Sequence, residues 1–326
     1  MPEHGGDLTE ATRLYGEPAE GWLDLSTGIN PHSYAVPAPD PEAWQRLPEE
    51  ADGLGEATAA FYGTSELLAV PGSQAAIGAL PRLRSPCRVA VLWPTYAEHA
   101  HRWQRAGHAV ERVGADGLEE AARKADVLVI ANPNNPDGRR FDPGDLLRWL
   151  RNLQSRDGWL VVDEAFADAV PGLSLVAEAG TPGLVVLRSL GKFFGLAGAR
   201  VGFVAAPEGL RRALAEELGP WAVAGPSRLV ARAALADGAW QVRARQALEE
   251  RSARLDELLR AAGMPPAGGT PLFQWVATGR AAEIHGQLAH AGVWTRLFRE
   301  PAGLRIGLPG AEEEWERLGR ALRTIV

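Results

Sequence analysis

The chain has little sulfur chemistry and no excess of positive charge. Among its 326 residues there is one cysteine, Cys87, so no intrachain disulfide can form and a reducing compartment is the expected home. Cys87 follows Ser85-Pro86 and reads as an inert residue at a strand start. Acidic residues outnumber basic ones, 41 to 34, for a net charge of −7. A nucleic-acid or membrane-surface binder needs a basic footprint, so neither partner is expected and a small molecule is. No apolar run approaches the roughly 20 residues that span a bilayer. The start, MPEHGGDLTE, lacks the basic residues and apolar stretch of a secretory signal, which makes a cytoplasmic protein the expectation. The 11 tryptophans fall at no fixed period, which speaks against a repeat architecture.

What is present is alternation. LLAV (67–70), RVAVLW (88–93), DVLVIA (126–131), WLVVDEA (159–165), LVVLRS (184–189) and ARVGFVAA (199–206) are short runs rich in Val, Leu and Ile, bounded by Gly, Pro, Asn or Asp. Strands buried on both faces read this way. Helical spacing fills the gaps in SQAAIGALPRL, YAEHAHRWQRAG and DPGDLLRWLRNLQSRDG, so an α/β domain with a mainly parallel sheet is expected. The pattern changes after Pro220. Residues 231–263 read as two amphipathic helices broken near Asp237-Gly238. Beyond PPAGGTP, the strands LFQWVA and LRIGL alternate with AAEIHGQLAHAG and AEEEWERLGRALRTI, as in a small α+β domain. The Pro- and Gly-rich first 45 residues are expected to pack with that domain.

Four features fall at predicted strand ends, where open α/β sheets bind ligands. Gly72-Ser73-Gln74 follows a strand and opens a helix, presenting free N–H groups to an anion. NPNNPDG (132–138) forces an extended turn that displays amides. VVDEAF (161–166) ends a buried strand in two acids, which serve either as caps or as partners of a cationic ligand group. RSLGKFFGLAGARVGF (188–203) places Ser189, Lys192 and Arg200 around one turn. Lys192 either extends to solvent on its aliphatic stem or is kept desolvated as a nucleophilic amine for a Schiff base. A phosphate-binding P-loop does not fit, since its first glycine would fall at Val186 and its hydroxyl at Phe193. His99 and His101 sit two apart on what reads as an exposed helix, on different faces, so no metal pair is expected.

Together these residues suit pyridoxal 5'-phosphate. Lys192 supplies the amine, Asp163 holds the pyridine nitrogen protonated, and Asn135 donates to the ring oxygen. Tyr96 covers the ring, while Gly72, Ser73, Gln74, Ser189 and Arg200 cradle the phosphate.

The chain resembles the aspartate-aminotransferase-like (class I/II) pyridoxal phosphate enzymes, and among them the threonine-phosphate decarboxylases of cobalamin biosynthesis. The likeness rests on HGG (4–6), LDLSTGINP (23–31), NPNNPDG, VVDEAFAD, the Lys192 stretch, PWAV (220–223) and LRIGL (304–308). HGG, INP and Phe166 in place of a tyrosine point to the decarboxylase branch. The resemblance implies a seven-stranded large domain over 46–220, a small domain over 221–326 joined by residues 1–45, and a homodimer. It implies that Lys192 and Asp163 are catalytic, and that His4, Gly5, Asn30, Asn135, Arg296 and Arg305 face the substrate. Arg305 would clamp a carboxylate and Arg296 a phosphate. Where relatives carry a tyrosine that crosses the dimer interface, this chain has Leu47. The implied reaction is decarboxylation of L-threonine O-3-phosphate to (R)-1-amino-2-propanol O-phosphate. Transamination, as on histidinol phosphate, is the alternative.

Overall fold

A computed structural model describes residues 4–325. They divide into two compact units, one of residues 34–135 and 140–241, the other of residues 4–33, 136–139 and 242–325. In chain order the smaller unit begins with α1 (Leu8–Tyr15) and β1 (Leu23–Asp24). The larger unit follows with α2 (Glu42–Gln45), α3 (Leu54–Tyr62), β2 (Leu67–Val70), α4 (Ser73–Ala79), β3 (Arg88–Leu92), α5 (Glu98–Arg105) and β4 (Ala109–Val113). It continues through α6 (Leu118–Lys124), β5 (Val127–Ala131), α7 (Pro143–Gln154), β6 (Trp159–Asp163), β7 (Leu184–Ser189), β8 (Gly202–Ala205), α8 (Glu208–Leu218) and α9 (Gly225–Ala236). After α10 (Gly238–Ala261) come β9 (Gly268–Thr270), β10 (Phe273–Ala277), α11 (Ala281–His290), β11 (Val293–Trp294), β12 (Arg296–Arg299), β13 (Ala302–Gly307) and α12 (Glu312–Leu322).

The larger unit is built on a seven-stranded sheet of order β2-β8-β7-β6-β5-β3-β4. Strands β7, β6, β5, β3 and β4 run parallel, and β8 is antiparallel to both β2 and β7. The six apolar runs of the sequence all become strands because both faces of this sheet are covered. On one face Val89, Val91, Val127, Val129, Val161, Val185 and Leu187 pack with Ala76 and Ile77 of α4 and Trp103 of α5. The seventh strand, β4, reads AVERV and lies at the sheet edge with Glu111 and Arg112 exposed. Its charges hide it from an apolar-run reading.

The unit borders fall at 33/34 and 241/242 rather than at 45/46 and 220/221. Helices α2 and α9 account for the shift. Helix α9 packs on α3 and α2, and Arg228 holds Asp52 through a two-pronged pair of 2.7 and 2.8 Å. The break near Asp237 is present: its carboxylate accepts from Trp240 N at 2.8 Å and starts α10.

In the smaller unit an antiparallel sheet of order β12-β13-β10-β9 is joined by the parallel pair β1-β11. Helix α1, capped by Asp7, buries Ala11 with Ala289 and Trp294, flanked by Leu8, Tyr15 and Trp22. Among the described residues no helix is long and apolar enough to cross a membrane.

Candidate active site

The topology brings the candidate residues of the larger unit to one edge of its sheet. Because β3, β5, β6 and β7 are parallel, their C-terminal ends share that edge, and antiparallel β8 begins there. Asp163 and Ser189 end β6 and β7, and Tyr96, Asn135 and Lys192 follow the ends of β3, β5 and β7. Arg200 precedes β8, and Gly72-Ser73-Gln74 follows β2. The registers Ala131↔Asp163, Asp163↔Leu187 and Ser189↔Gly202 set these tips side by side.

Lys192 lies in the turn after β7, half-buried, between the buried Gly191 and Phe193. The turn closes on itself: Leu190 N bonds Val201 O, Gly195 N bonds Lys192 O and Leu196 N bonds Leu190 O, at 3.1 to 3.2 Å. Phe193 and Phe194, both fully buried, anchor it, with Phe194 stacked on Trp240 at 5.5 Å. The ammonium stands 5.6 Å from the Phe166 ring centroid, within reach of the ring's negative face. Apolar side chains therefore flank this lysine. The chain's other lysine, Lys124, is 71% exposed and paired with Glu120 on the surface of α6.

Asp163, at the tip of β6, is 6% exposed. Its Oδ1 accepts from Ala165 N at 3.1 Å and its Oδ2 from His99 Nε2 at 2.9 Å. An ionised carboxylate only accepts, so the imidazole carries a proton on Nε2. This overturns the expectation of an exposed His99: the residue is 1% exposed, because Asp163 takes up its imidazole inside the fold. Tyr96 stands two positions before α5, and His99 is the second residue of that helix. Their rings meet edge to face at 6.0 Å.

Tyr96 donates to Gln74 Oε1 at 3.1 Å, and Gln74 Nε2 donates to Glu98 Oε2 at 2.9 Å, where Arg102 Nε also donates at 2.7 Å. Glu98 is buried, and the chain from Arg102 through Glu98 fixes which way the Gln74 amide faces. Burial, reinforced by Glu98, pushes the Tyr96 phenol up to about 12, so it stays neutral. Glu98 and Arg102 are thus part of this assembly, though neither stood out in the sequence.

The residues around the start of α4 fit a phosphate. Gly72 has φ +77°, and a Cβ there would lie 2.8 Å from Arg200 Nη2, so the guanidinium closes directly on the glycine backbone. A Cβ on Gly202 would reach Ser73 N at 2.6 Å. Ser189 Oγ accepts from Gly191 N at 3.2 Å, and its own hydroxyl proton stays available for an anion. Asn135 follows β5 half-buried, beside Asn134, which is held by Thr95 Oγ1 at 2.7 Å and by Pro94 O at 2.8 Å. An amine, a buried carboxylate, an aromatic face and this cradle form the donor set that pyridoxal phosphate requires.

In the smaller unit Arg305 on β13 is buried. It donates to Ser26 O at 2.6 Å and lies across Phe273 at 5.2 Å. Arg296 on β12 is its direct register partner, so the two guanidinium-bearing side chains stand on one sheet face. Like charges directly opposite repel, and a ligand with two anionic groups would relieve that. Asn30 is buried and its Oδ1 accepts from His32 N at 3.0 Å. A Cβ on Gly5 would lie 2.4 Å from Ser26 O, so only glycine lets the chain pass there. His4 is exposed.

Leu47 is 62% exposed in the larger unit. Cys87 meets His108 Nδ1 at 3.3 Å, and burial raises its thiol, which opposes a thiolate. Among the described residues no group of three or more His, Cys, Asp or Glu side chains gathers as a metal site would need.

Residues 46–322 match the family of class I and II aminotransferases, and the chain belongs to it. Within that family the chain is 54% identical to the threonine-phosphate decarboxylase of Pseudomonas aeruginosa over 99% of this chain and 97% of that protein. It is 43% identical to the threonine-phosphate decarboxylase of a Sinorhizobium species, over 98% and 97%. The crystal structure of histidinol-phosphate aminotransferase from Sinorhizobium meliloti in complex with pyridoxal-5'-phosphate superposes with a TM-score of 0.82. It covers 98% of this chain and 95% of its own at 20% identity, a likeness of fold.

Proposed function

We propose that the chain is a pyridoxal-phosphate-dependent decarboxylase of L-threonine O-3-phosphate, yielding (R)-1-amino-2-propanol O-phosphate for cobalamin biosynthesis, and that it works as a cytoplasmic homodimer. The observation that carries the cofactor is the convergence of Lys192, Asp163, Tyr96 and the Gly72–Arg200 cradle on one sheet edge. Because an aminotransferase shares the fold, the choice of reaction rests on the decarboxylases named above at 54% and 43% identity.

When bound, pyridoxal phosphate supplies an aldehyde for the amine and a ring that accepts the electron pair of a breaking bond. Lys192 Nζ would hold the cofactor and would return a proton to the substrate α-carbon. Asp163, oriented by His99, keeps a proton on the pyridine nitrogen. Tyr96 covers the ring as a neutral face, its hydroxyl proton committed to Gln74. Asn135 donates to the ring oxygen, and Ser73, Ser189 and Arg200 take the cofactor phosphate. Arg305 binds the substrate carboxylate and Arg296 its phosphate, with His4, Gly5 and Asn30 completing the substrate contacts. The grip on carboxylate and phosphate would orient the bonds of the substrate α-carbon, and so would select loss of CO2 over loss of a proton.

Incubation with L-threonine O-3-phosphate tests this: CO2 and the amine phosphate are expected in equal amounts. Amino transfer to 2-oxoglutarate without CO2 would assign the aminotransferase reaction instead.

A further inference from the structure

Two residues of the motifs above have no part in holding the cofactor: Glu164, the second acid of VVDEAF, and Arg188, which precedes Ser189. Both are buried, with side chains at most 4% exposed. Side chains alternate along a strand, so Arg188 points to the sheet face opposite Leu187 and Ser189. Asp163, the register partner of Leu187, shares the face of those two. Glu164 N bonds Leu187 O at 2.9 Å and extends the β6–β7 ladder by one rung past Asp163.

On that far face Arg188 Nη1 donates to Glu164 Oε2 at 2.5 Å and to Ser174 Oγ at 3.1 Å, while Nη2 donates to Asp168 Oδ1. Ser174 Oγ donates to Glu164 Oε2 at 2.5 Å, and Leu175 N to Glu164 Oε1 at 2.7 Å. The guanidinium lies 4.7 Å over the ring of Tyr62, from α3. One side chain thus ties β7, the turn after β6, the 174–175 segment and α3 together.

Removing three charged groups from water costs more than packing apolar side chains of similar volume would. What a planar guanidinium adds in return is direction, through fixed donors that hold carboxylates at set angles. We propose that Arg188, Glu164 and Asp168 form a positioning clamp that sets the β6 and β7 tips, and through them Asp163 and the Ser189–Lys192 turn, against the cofactor. This rests on the cofactor reading above. None of the three touches the reacting atoms.

The test uses holoenzyme carrying Glu164→Gln, which keeps the shape and an acceptor for Leu175 N, and in parallel Ser174→Ala, which removes one neutral donor. Three quantities are read: visible circular dichroism of the bound cofactor, kcat and KM for L-threonine O-3-phosphate, and the thermal midpoint. Misplacement of reacting groups lowers kcat more than binding, so Glu164→Gln should cut kcat by about tenfold or more while KM stays within about twofold. Its visible dichroism should fall with kcat, and Ser174→Ala should change both in the same direction by about threefold. A lowered thermal midpoint with wild-type kcat and dichroism would overturn the clamp and leave the cofactor reading intact. If Glu164→Gln does not fold, wild-type kcat and dichroism in Ser174→Ala alone overturn the clamp. Wild-type protein with no visible band would overturn the cofactor reading and the clamp with it.

Discussion

Arg188 in the larger unit and Arg305 in the smaller are both buried, yet their neighbours differ in kind. Arg188 faces Glu164 and Asp168, and its charge is taken up inside the fold. Arg305 donates to a main-chain oxygen, crosses an aromatic ring, and stands opposite a second arginine, Arg296. A cation enclosed by acids holds elements together, whereas two cations set side by side suit an anion from outside. By this contrast the buried ion pairs of the larger unit tie its strand tips together, and the smaller unit's arginine pair is proposed to grip the substrate.

The sharpest way to break the contrast is Arg188→Met. It leaves two buried acids without their guanidinium and should cost about 4 kcal/mol of folding stability, read by urea denaturation. A cost comparable to an exposed ion pair would remove the distinction. Arg305→Met should instead lower kcat/KM for threonine phosphate by about a hundredfold, with stability changed by no more than about 1 kcal/mol. Steady-state kinetics and denaturation on the same protein separate the two outcomes.

A pH titration sharpens the description of the smaller unit. His285 on α11 is buried, its Nδ1 meeting Thr295 Oγ1 at 2.9 Å, and burial, then Arg296 and Arg299, lower its pKa to about 4. Between about pH 4 and the ordinary histidine value the unfolded chain binds the extra proton, so stability is full above that window and falls as pH drops through it. The loss should approach about 3 kcal/mol, and His285→Gln should flatten it in pH-dependent denaturation. The smallest effect expected is Asp7→Ala, which removes the α1 cap on Glu10 N and should cost about 1 kcal/mol of thermal or chemical stability without changing kcat.

Much of the larger unit was legible because its strands are apolar on both faces, and because the chemistry sits in the loops that punctuate them. Strand β4 was not legible, since an edge strand can carry Glu111 and Arg112 in solvent. The borders at 34 and 241 were hidden for a related reason: α9 looks like the helix after it in composition, and only its packing on α3 and the Arg228–Asp52 pair assign it. At the site, the residues proposed to meet a ligand fall at strand ends and can be found one by one. Those that meet only other residues, His99 on Asp163 and Glu98 on Gln74, look like surface helix positions until the partner strand is known. Arg188 and Glu164 were in view within quoted motifs, but their pairing crosses 24 positions of chain and no local spacing announces it.

The account stands on Lys192 carrying the cofactor, and the chain's composition makes that directly measurable, because Lys124 is the only other lysine. Borohydride reduction of the purified protein, followed by peptide mass mapping, should place a stable pyridoxyl phosphate adduct on the peptide that contains Lys192 and none on the Lys124 peptide. An adduct on Lys124 alone, or no adduct in protein reconstituted with pyridoxal phosphate, would contradict it.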